Sequence, residues 1–204
     1  MWDFFYLCAR IFITKKKAYI MKPEMIVFVG GQGSGKGTFA KKLLQDFNYN
    51  YVEAGDILRH MPTDSEIGKK IARGELLQDN ELFPIIEKYI TTDQDIIMDG
   101  FPRTIGQAKW LVEKYSDIFN IRVIFLDITE EKMFAHIQNR VKEGGNRADD
   151  MDENAVRKRI AAFKTTTMPA IEWLSTIQDI EFFDVKLPTD DIDTNYNHIL
   201  KIIK

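Results

Sequence analysis

The sequence predicts an α/β protein with three layers, in which a five-stranded parallel sheet lies between helices. Three observations carry this expectation. Short apolar runs alternate with helical patterns along the chain, the runs are continuous rather than alternating in hydrophobicity, and the first leads directly into a glycine-rich turn that opens a helix. Continuous apolar runs mark strands covered on both faces. Strands alternating with helices imply parallel pairing through right-handed crossovers.

The strand candidates are residues 25–29, 51–54, 95–98, 121–127 and 180–185. The first helix is expected over 36–46, straight after the glycine-rich turn. A second covers 79–91, with Leu82, Ile85, Ile86, Tyr89 and Ile90 on one side. A third follows the third strand over 104–115. The next covers 129–142, where Met133, Phe134, Ile137 and Val141 are spaced for one face. Helices over 152–163 and 168–177 precede the last strand, and one over 191–203 closes the chain. No internal repeat, low-complexity tract or linker interrupts the pattern. The expected organisation is an N-terminal extension over residues 1–24 and a core over 25–204. The core carries inserted segments.

The 204 residues are 45% hydrophobic and 29% charged, with net charge -3 and a pI near 5.7. A duplex-binding protein shows a basic footprint, which this composition lacks, so nucleic acid is not an expected partner. The single cysteine, Cys8, excludes a disulfide framework or an all-cysteine zinc site within one chain. No apolar run reaches the roughly 18–20 residues that span a bilayer. In the first twenty residues, Phe4-Phe5-Tyr6-Leu7-Cys8-Ala9 precedes Lys15-Lys16-Lys17, the reverse of a signal peptide's order. The extension is therefore expected to be poorly packed, with the functional chain starting at Met21 or Met25. A cytoplasmic, monomeric protein without a membrane partner is the expectation.

The turn after the first strand reads Gly30-Gly31-Gln32-Gly33-Ser34-Gly35-Lys36-Gly37-Thr38. Glycines let a backbone turn tightly and bring its N–H groups against phosphate oxygens. The helix that follows points its positive end at the same place, and Lys36 adds a mobile charge for the β- and γ-phosphates. With a buried strand before it and a helix after it, this stretch predicts a P-loop NTPase fold rather than a plain turn. Asp99 ends another apolar strand, where a carboxylate holds Mg²⁺ or its waters, or caps the next helix. Arginines gather beyond it. A guanidinium never titrates and grips phosphate with two parallel hydrogen bonds, which makes Arg59, Arg103, Arg140, Arg147, Arg157 and Arg159 candidates. Arg103 lies in a constrained loop past a strand end, where such sheets bind ligands. Arg140 and Arg147 flank Glu143-Gly144-Gly145-Asn146, a segment suited to a lid hinge.

Taken together, these motifs resemble the adenylate kinase family of nucleoside monophosphate kinases, over essentially residue 25 to the C-terminus. The motifs are Gly30 to Thr38; Gly55-Asp56-Ile57-Leu58-Arg59; Gly74-Glu75-Leu76-Leu77-Gln78-Asp79; Asp99-Gly100-Phe101-Pro102-Arg103-Thr104-Ile105-Gly106-Gln107-Ala108; Arg147-Ala148-Asp149-Asp150; Val156-Arg157-Lys158-Arg159; and Thr167-Met168-Pro169. The resemblance implies transfer of the γ-phosphoryl group of MgATP to a nucleoside monophosphate, on a core with an inserted acceptor-binding arm at about 54–82 and a short lid at about 140–150. Gly33, Ser34, Gly35, Lys36, Gly37 and Thr38 would hold the donor phosphates, with Arg140 reaching them and His136 beside the ATP base. Arg59 and Arg103 would grip the acceptor phosphate. Ala54, Glu75, Leu76, Leu77, Gly100, Phe101 and Pro102 would line the acceptor site, and Gln107 would read the base. Arg147 and Arg159 would span both nucleotides, steadied by Asp149 and Asp150, and Asp99 would orient water on Mg²⁺. Lys36, Arg103, Arg140, Arg147 and Arg159 form the implied catalytic set.

Four positions depart from the family pattern. The arm between Asp56 and Asp79 is short. Ala54 stands where adenylate kinases commonly have threonine and pyrimidine-preferring relatives have alanine. His136 replaces an arginine that packs on the ATP base, leaving either a stacked ring or a partly exposed helix histidine. Val185 replaces a glycine near the ATP base pocket. Gln107 points to AMP and Ala54 to CMP or UMP; AMP is the expected acceptor. Two other classes remain beside this reading. A small P-loop kinase for a metabolite hydroxyl would not need so many cations, and a nucleotide-binding regulatory protein would have lost turnover.

Overall fold

The computed structural model describes residues 22–72, 77–144 and 150–203. In chain order these form β1 (Glu24–Gly30), α1 (Lys36–Asp46), β2 (Asn50–Glu53), α2 (Ala54–Arg59), α3 (Glu66–Ala72) and α4 (Asp79–Glu87). There follow β3 (Ile96–Asp99), α5 (Ile105–Tyr115), β4 (Asn120–Asp127), α6 (Glu130–Lys142) and α7 (Glu153–Ala162). A π-helical turn (Phe163–Thr167), α8 (Met168–Leu174), β5 (Glu181–Lys186) and α9 (Ile192–Ile203) complete the order. The five strands pair in parallel as β2-β3-β1-β4-β5.

The uninterrupted apolar runs have a direct cause. Along β1, Met25, Val27 and Val29 pack with Leu82 of α4, Leu111 of α5 and Leu174 of α8. Ile26 and Phe28 point the other way and pack with Phe39 and Leu43 of α1 and Ile199 and Ile203 of α9. Both faces are covered, so neither set of alternate positions can be polar. Full burial of such side chains contributes about 1.5–3 kcal/mol each, and Met25 through Phe28 have no exposed surface at all.

This layering also creates the crevice. β1 and β3 are neighbours with Phe28 beside Asp99. The helix after β1 runs to one face of the sheet and the helix after β3 to the other. Their connecting loops part above the carboxyl ends of the strands, where ligands bind in such sheets.

The predicted elements are all present, with local differences. Thr104, Thr129 and Asp152 are N-caps whose side chains accept from the backbone N–H of Gln107, Lys132 and Asn154, so the helices begin one residue later than their pattern suggests. Ala54, expected to end a strand, opens α2, because the chain leaves extended geometry at Glu53. The arm contains two helices, α2 and α3, of six and seven residues, too short to show a helical period. The helices expected over 152–163 and 168–177 are joined by the π turn into one helical run. Val185 is 1% exposed and packs in the second core cluster with Ile26 and Tyr196. Among the described residues no helix is long and apolar enough to cross a membrane.

Candidate active site

The loop after β1 is backed by α6. A Cβ on Gly33, which has φ +79°, would lie 2.5 Å from the Met133 carbonyl oxygen, so only glycine allows this approach. His136 seals the same contact. Its Nδ1 is 2.8 Å from the Gly33 carbonyl, a hydrogen bond that the Nδ1–H tautomer donates. The half-buried ring is thus turned to the loop. Gly35, at φ +92°, is the N-cap of α1. The buried Ser34 accepts from Lys36 through Oγ at 3.3 Å, and the Lys36 ammonium also donates to the carbonyls of Gly30 (2.8 Å) and Gly31 (2.7 Å). Gly37 stands over Asp99: a Cβ there would come within 3.4 Å of Asp99 Oδ2. Thr38 is exposed on the first turn of α1.

A cavity of about 390 Å³ opens beside the loop. Gly30, Gln32 and Lys36 form one wall, and Gly100 to Thr104 with Gln107 another. Leu77, Asp79, Arg159 and the π turn close it. Sequence reasoning gave no role to Gln32, Phe163, Thr166 or Thr167, although Gln32 lies in the Gly30 to Thr38 motif and Thr167 opens the Thr167-Met168-Pro169 motif. π turns recur at functional sites in other proteins.

Across the cavity from the loop, Arg103 donates from Nε to the Gly100 carbonyl at 2.7 Å. Arg59 sits on α2, held by Glu53 at 3.1 Å and Asp56 at 3.3 Å. The two arginines converge over Gly55: a Cβ there would lie 3.2 Å from one terminal nitrogen of Arg59 and 3.8 Å from one of Arg103. Two forks meeting over a residue without a side chain could receive a phosphate between them. Ala54, 4% exposed, is packed in the core beneath it. Gln107 is 7% exposed; its Oε1 accepts from the Arg103 backbone N–H at 2.8 Å.

On the lid side, Asp150 joins two helices. It accepts from Arg140 of α6 (Nε, 2.8 Å) and from Arg159 of α7 (3.0 Å). Arg157 faces away: it bonds Glu153 and stacks on Phe134 outside the cavity. Glu75, Leu76, Arg147 and Asp149 lie outside the described residues.

Asp99 is 7% exposed at the end of β3. Its Oδ2 accepts from the Tyr51 hydroxyl at 3.1 Å, and that hydroxyl is 3.3 Å from Glu53. Burial pushes the Asp99 carboxyl above the usual carboxylate range; Lys36 pulls it back, and Glu53 adds to the rise. Burial first, and then the Asp99 and Glu53 carboxylates, push the Tyr51 phenol well above its ordinary value, so it stays protonated and able to donate. A carboxylate oxygen beside the first turn of α1 and close to the loop lysine could hold a hydrated Mg²⁺ through its waters.

Known proteins match this chain over most of its length. A model of the family described as "Adenylate kinase" matches residues 28–179. The chain belongs to the adenylate kinase family. It is 34% identical over 160 residues to an adenylate kinase of Phocaeicola vulgatus, covering 72% of this chain and 82% of the relative. It is 31% identical over 155 residues to an adenylate kinase of Thermus thermophilus, with 72% and 81% covered. With "Adenylate kinase 1" of Schistosoma mansoni it shares 30% over 191 residues, 89% of this chain and 95% of the relative. The family match spans the loop, the arm, the Asp99 to Ala108 stretch and the lid. The family resemblance drawn from motifs alone, the parallel-sheet fold and the phosphotransferase class therefore stand.

Proposed function

We propose that this family member is a nucleoside monophosphate kinase acting on AMP, by MgATP + AMP ⇌ MgADP + ADP. One observation carries the reading: the loop lysine and Arg103 line one cavity whose wall also presents a buried amide, Gln107, and Arg59, outside that lining, meets Arg103 over Gly55. That arrangement suits two phosphate-bearing substrates facing each other. An oxygen of the AMP phosphate attacks the γ-phosphorus, the bond to the β–γ bridging oxygen breaks, and its electron pair leaves with ADP. No side-chain nucleophile takes part. The protein's share is to align the groups and to supply fixed positive charge as charge spreads over the transferring oxygens.

Lys36 would move from the loop carbonyls to the donor phosphates. Arg59 and Arg103 would hold the acceptor phosphate, while Arg140, Arg159 and Arg147 approach from the lid side. The site's residues fit Mg²⁺ held through water on Asp99, and when bound the ion neutralises charge on the donor phosphates. Gln107 would read the acceptor base. Ala54 removes a hydroxyl that many relatives carry, so discrimination against CMP and UMP is expected to be relaxed. We read the protein as a cytoplasmic monomer, a reading supported by its mixed surface charge and its family.

The test is ADP formation from MgATP with AMP, CMP, UMP or GMP, compared as kcat/KM. AMP should rank first. A higher value for CMP or UMP would make Ala54 the better guide to the base, and no turnover with any monophosphate would favour a regulatory nucleotide-binding role.

A further inference from the structure

We propose that Asp79 is a specificity-determining positioning residue, one that locks the Gln107 amide in the single orientation fitting a base with an exocyclic amine. This inference rests on the reading of Gln107 as the group that meets the acceptor base.

A side-chain amide has nearly the same shape either way round, so its partners alone decide which end is oxygen. Gln107 has two partners. The Arg103 backbone N–H, which can only donate, is 2.8 Å from Oε1. The Asp79 carboxylate Oδ1, which can only accept when ionised, is 3.3 Å from Nε2. Both favour the same orientation. A flipped amide would set N–H against N–H and oxygen against carboxylate, two repulsive contacts in a buried place.

The lock has a chemical consequence. It leaves one lone pair on Oε1 and one hydrogen on Nε2, in fixed positions. Adenine offers an amine beside an unprotonated ring nitrogen, and cytosine does the same. That edge gives a hydrogen to Oε1 and takes one from Nε2. Hypoxanthine, guanine and uracil offer a carbonyl beside a ring N–H and would need the flipped amide. Asp79 therefore contributes to base choice through Gln107.

A second feature shows that the approach is built for the carboxylate. Asp79 opens α4, and Gly106 lies in the first turn of α5. A Cβ on Gly106 would come within 2.6 Å of Asp79 Oδ2, so the missing side chain makes room for the carboxylate beside Gln107. A first-turn acid also suits the dipole of α4, but that role would affect all substrates alike.

The test compares kcat/KM for AMP with that for IMP, which carries the keto edge on the same purine frame. The variants are Asp79→Asn, which removes the charge but keeps the shape, and Gly106→Ala. The second keeps the carboxylate but displaces it, and alanine suits a helix better than glycine. In both, the AMP-to-IMP ratio should fall about tenfold, the scale of one hydrogen bond to a charged group, with melting temperatures within a few degrees of the unsubstituted protein. A parallel loss for AMP and IMP, or an unchanged ratio while AMP turnover persists, would overturn this inference and leave the kinase reading in place. Absence of AMP turnover in the unsubstituted protein would overturn both.

Discussion

Replacing Asp150 with alanine tests stability and catalysis together. Its carboxylate is 1% exposed and accepts from Arg140 twice, through Nε and a terminal nitrogen, and from Arg159 once. Removing it leaves two guanidiniums without this shared anion. Breaking a buried ion pair costs about 3–5 kcal/mol. Arg140 is 36% and Arg159 19% exposed, so water recovers part of the loss. The lower end, about 3 kcal/mol, is therefore the better estimate. For a chain of 204 residues this lowers Tm by about 6–12 °C, at about 2–4 °C per kcal/mol. Turnover should fall about 10²-fold, because the arginine forks are no longer fixed before the reaction. Asp150→Asn keeps one acceptor oxygen and should fall between. The assays are a thermal melt and ADP formation at saturating MgATP and AMP, well below the melt. A Tm shift under about 2 °C with unchanged kcat would refute the reasoning. A large Tm loss with normal kcat would reduce Asp150 to a tie between α6 and α7.

Lys36→Ala and Arg103→Ala should each lower kcat at least ~10²-fold, the scale of one preorganised donor, while both variants stay folded by circular dichroism. Near-normal rates would sink the assignment. Asp99→Asn should abolish most turnover yet melt higher than the unsubstituted protein in chelator at neutral pH. A carboxyl whose folded-state pKa is raised stabilises the fold below its unfolded pKa and loses that contribution as pH rises through the folded value. The advantage of asparagine should therefore shrink as pH falls, and a gap that widens instead would reverse the sign. Deleting residues 1–20 should leave Tm and turnover nearly unchanged, since sheet pairing among the described residues starts at Glu24; a large loss of either would show that the segment packs on the core.

Much of this was legible because the physics is local or periodic. The strands declared themselves through two-sided burial, and the loop through glycines framed by a strand and a helix. The starts of three helices were legible to within one residue, Thr104, Thr129 and Asp152 being caps where the pattern places the first helical residue. What the sequence did not disclose depends on partners distant along the chain. Tyr51 and Asp99 are 48 residues apart and meet only because β2 and β3 pair with Glu53 beside Asp99. Asp79 and Gln107 are 28 apart and meet where α4 and α5 begin. His136 was read as a neighbour of the ATP base or a partly exposed helix histidine; its bond to Gly33, which requires α6 to lie against the loop, was not foreseen. The helices α2 and α3 are too short for periodicity to register.

Glu53 raises a question that kinetics can decide. Arg59, expected to grip the acceptor phosphate, is bonded to Glu53 and Asp56, and Glu53 also borders Asp99. An arriving phosphate must compete with these carboxylates for the guanidinium, and the Glu53 charge repels it. The competing pair is half exposed, with Arg59 at 49% and Glu53 at 21%. It is therefore worth about 0.2–1 kcal/mol, which converts to a factor of up to about five in binding. Glu53→Gln keeps the shape and an oxygen for the Tyr51 hydroxyl but removes the charge. The KM for AMP should fall about two- to fivefold, with kcat little changed, since the pair is broken before the chemical step. The effect should be larger at low salt, where the carboxylate is less screened. A rise in KM would mean the opposite: that Glu53 holds Arg59 in the posture the phosphate needs, and that its charge helps more by ordering the arginine than it costs by competing for it.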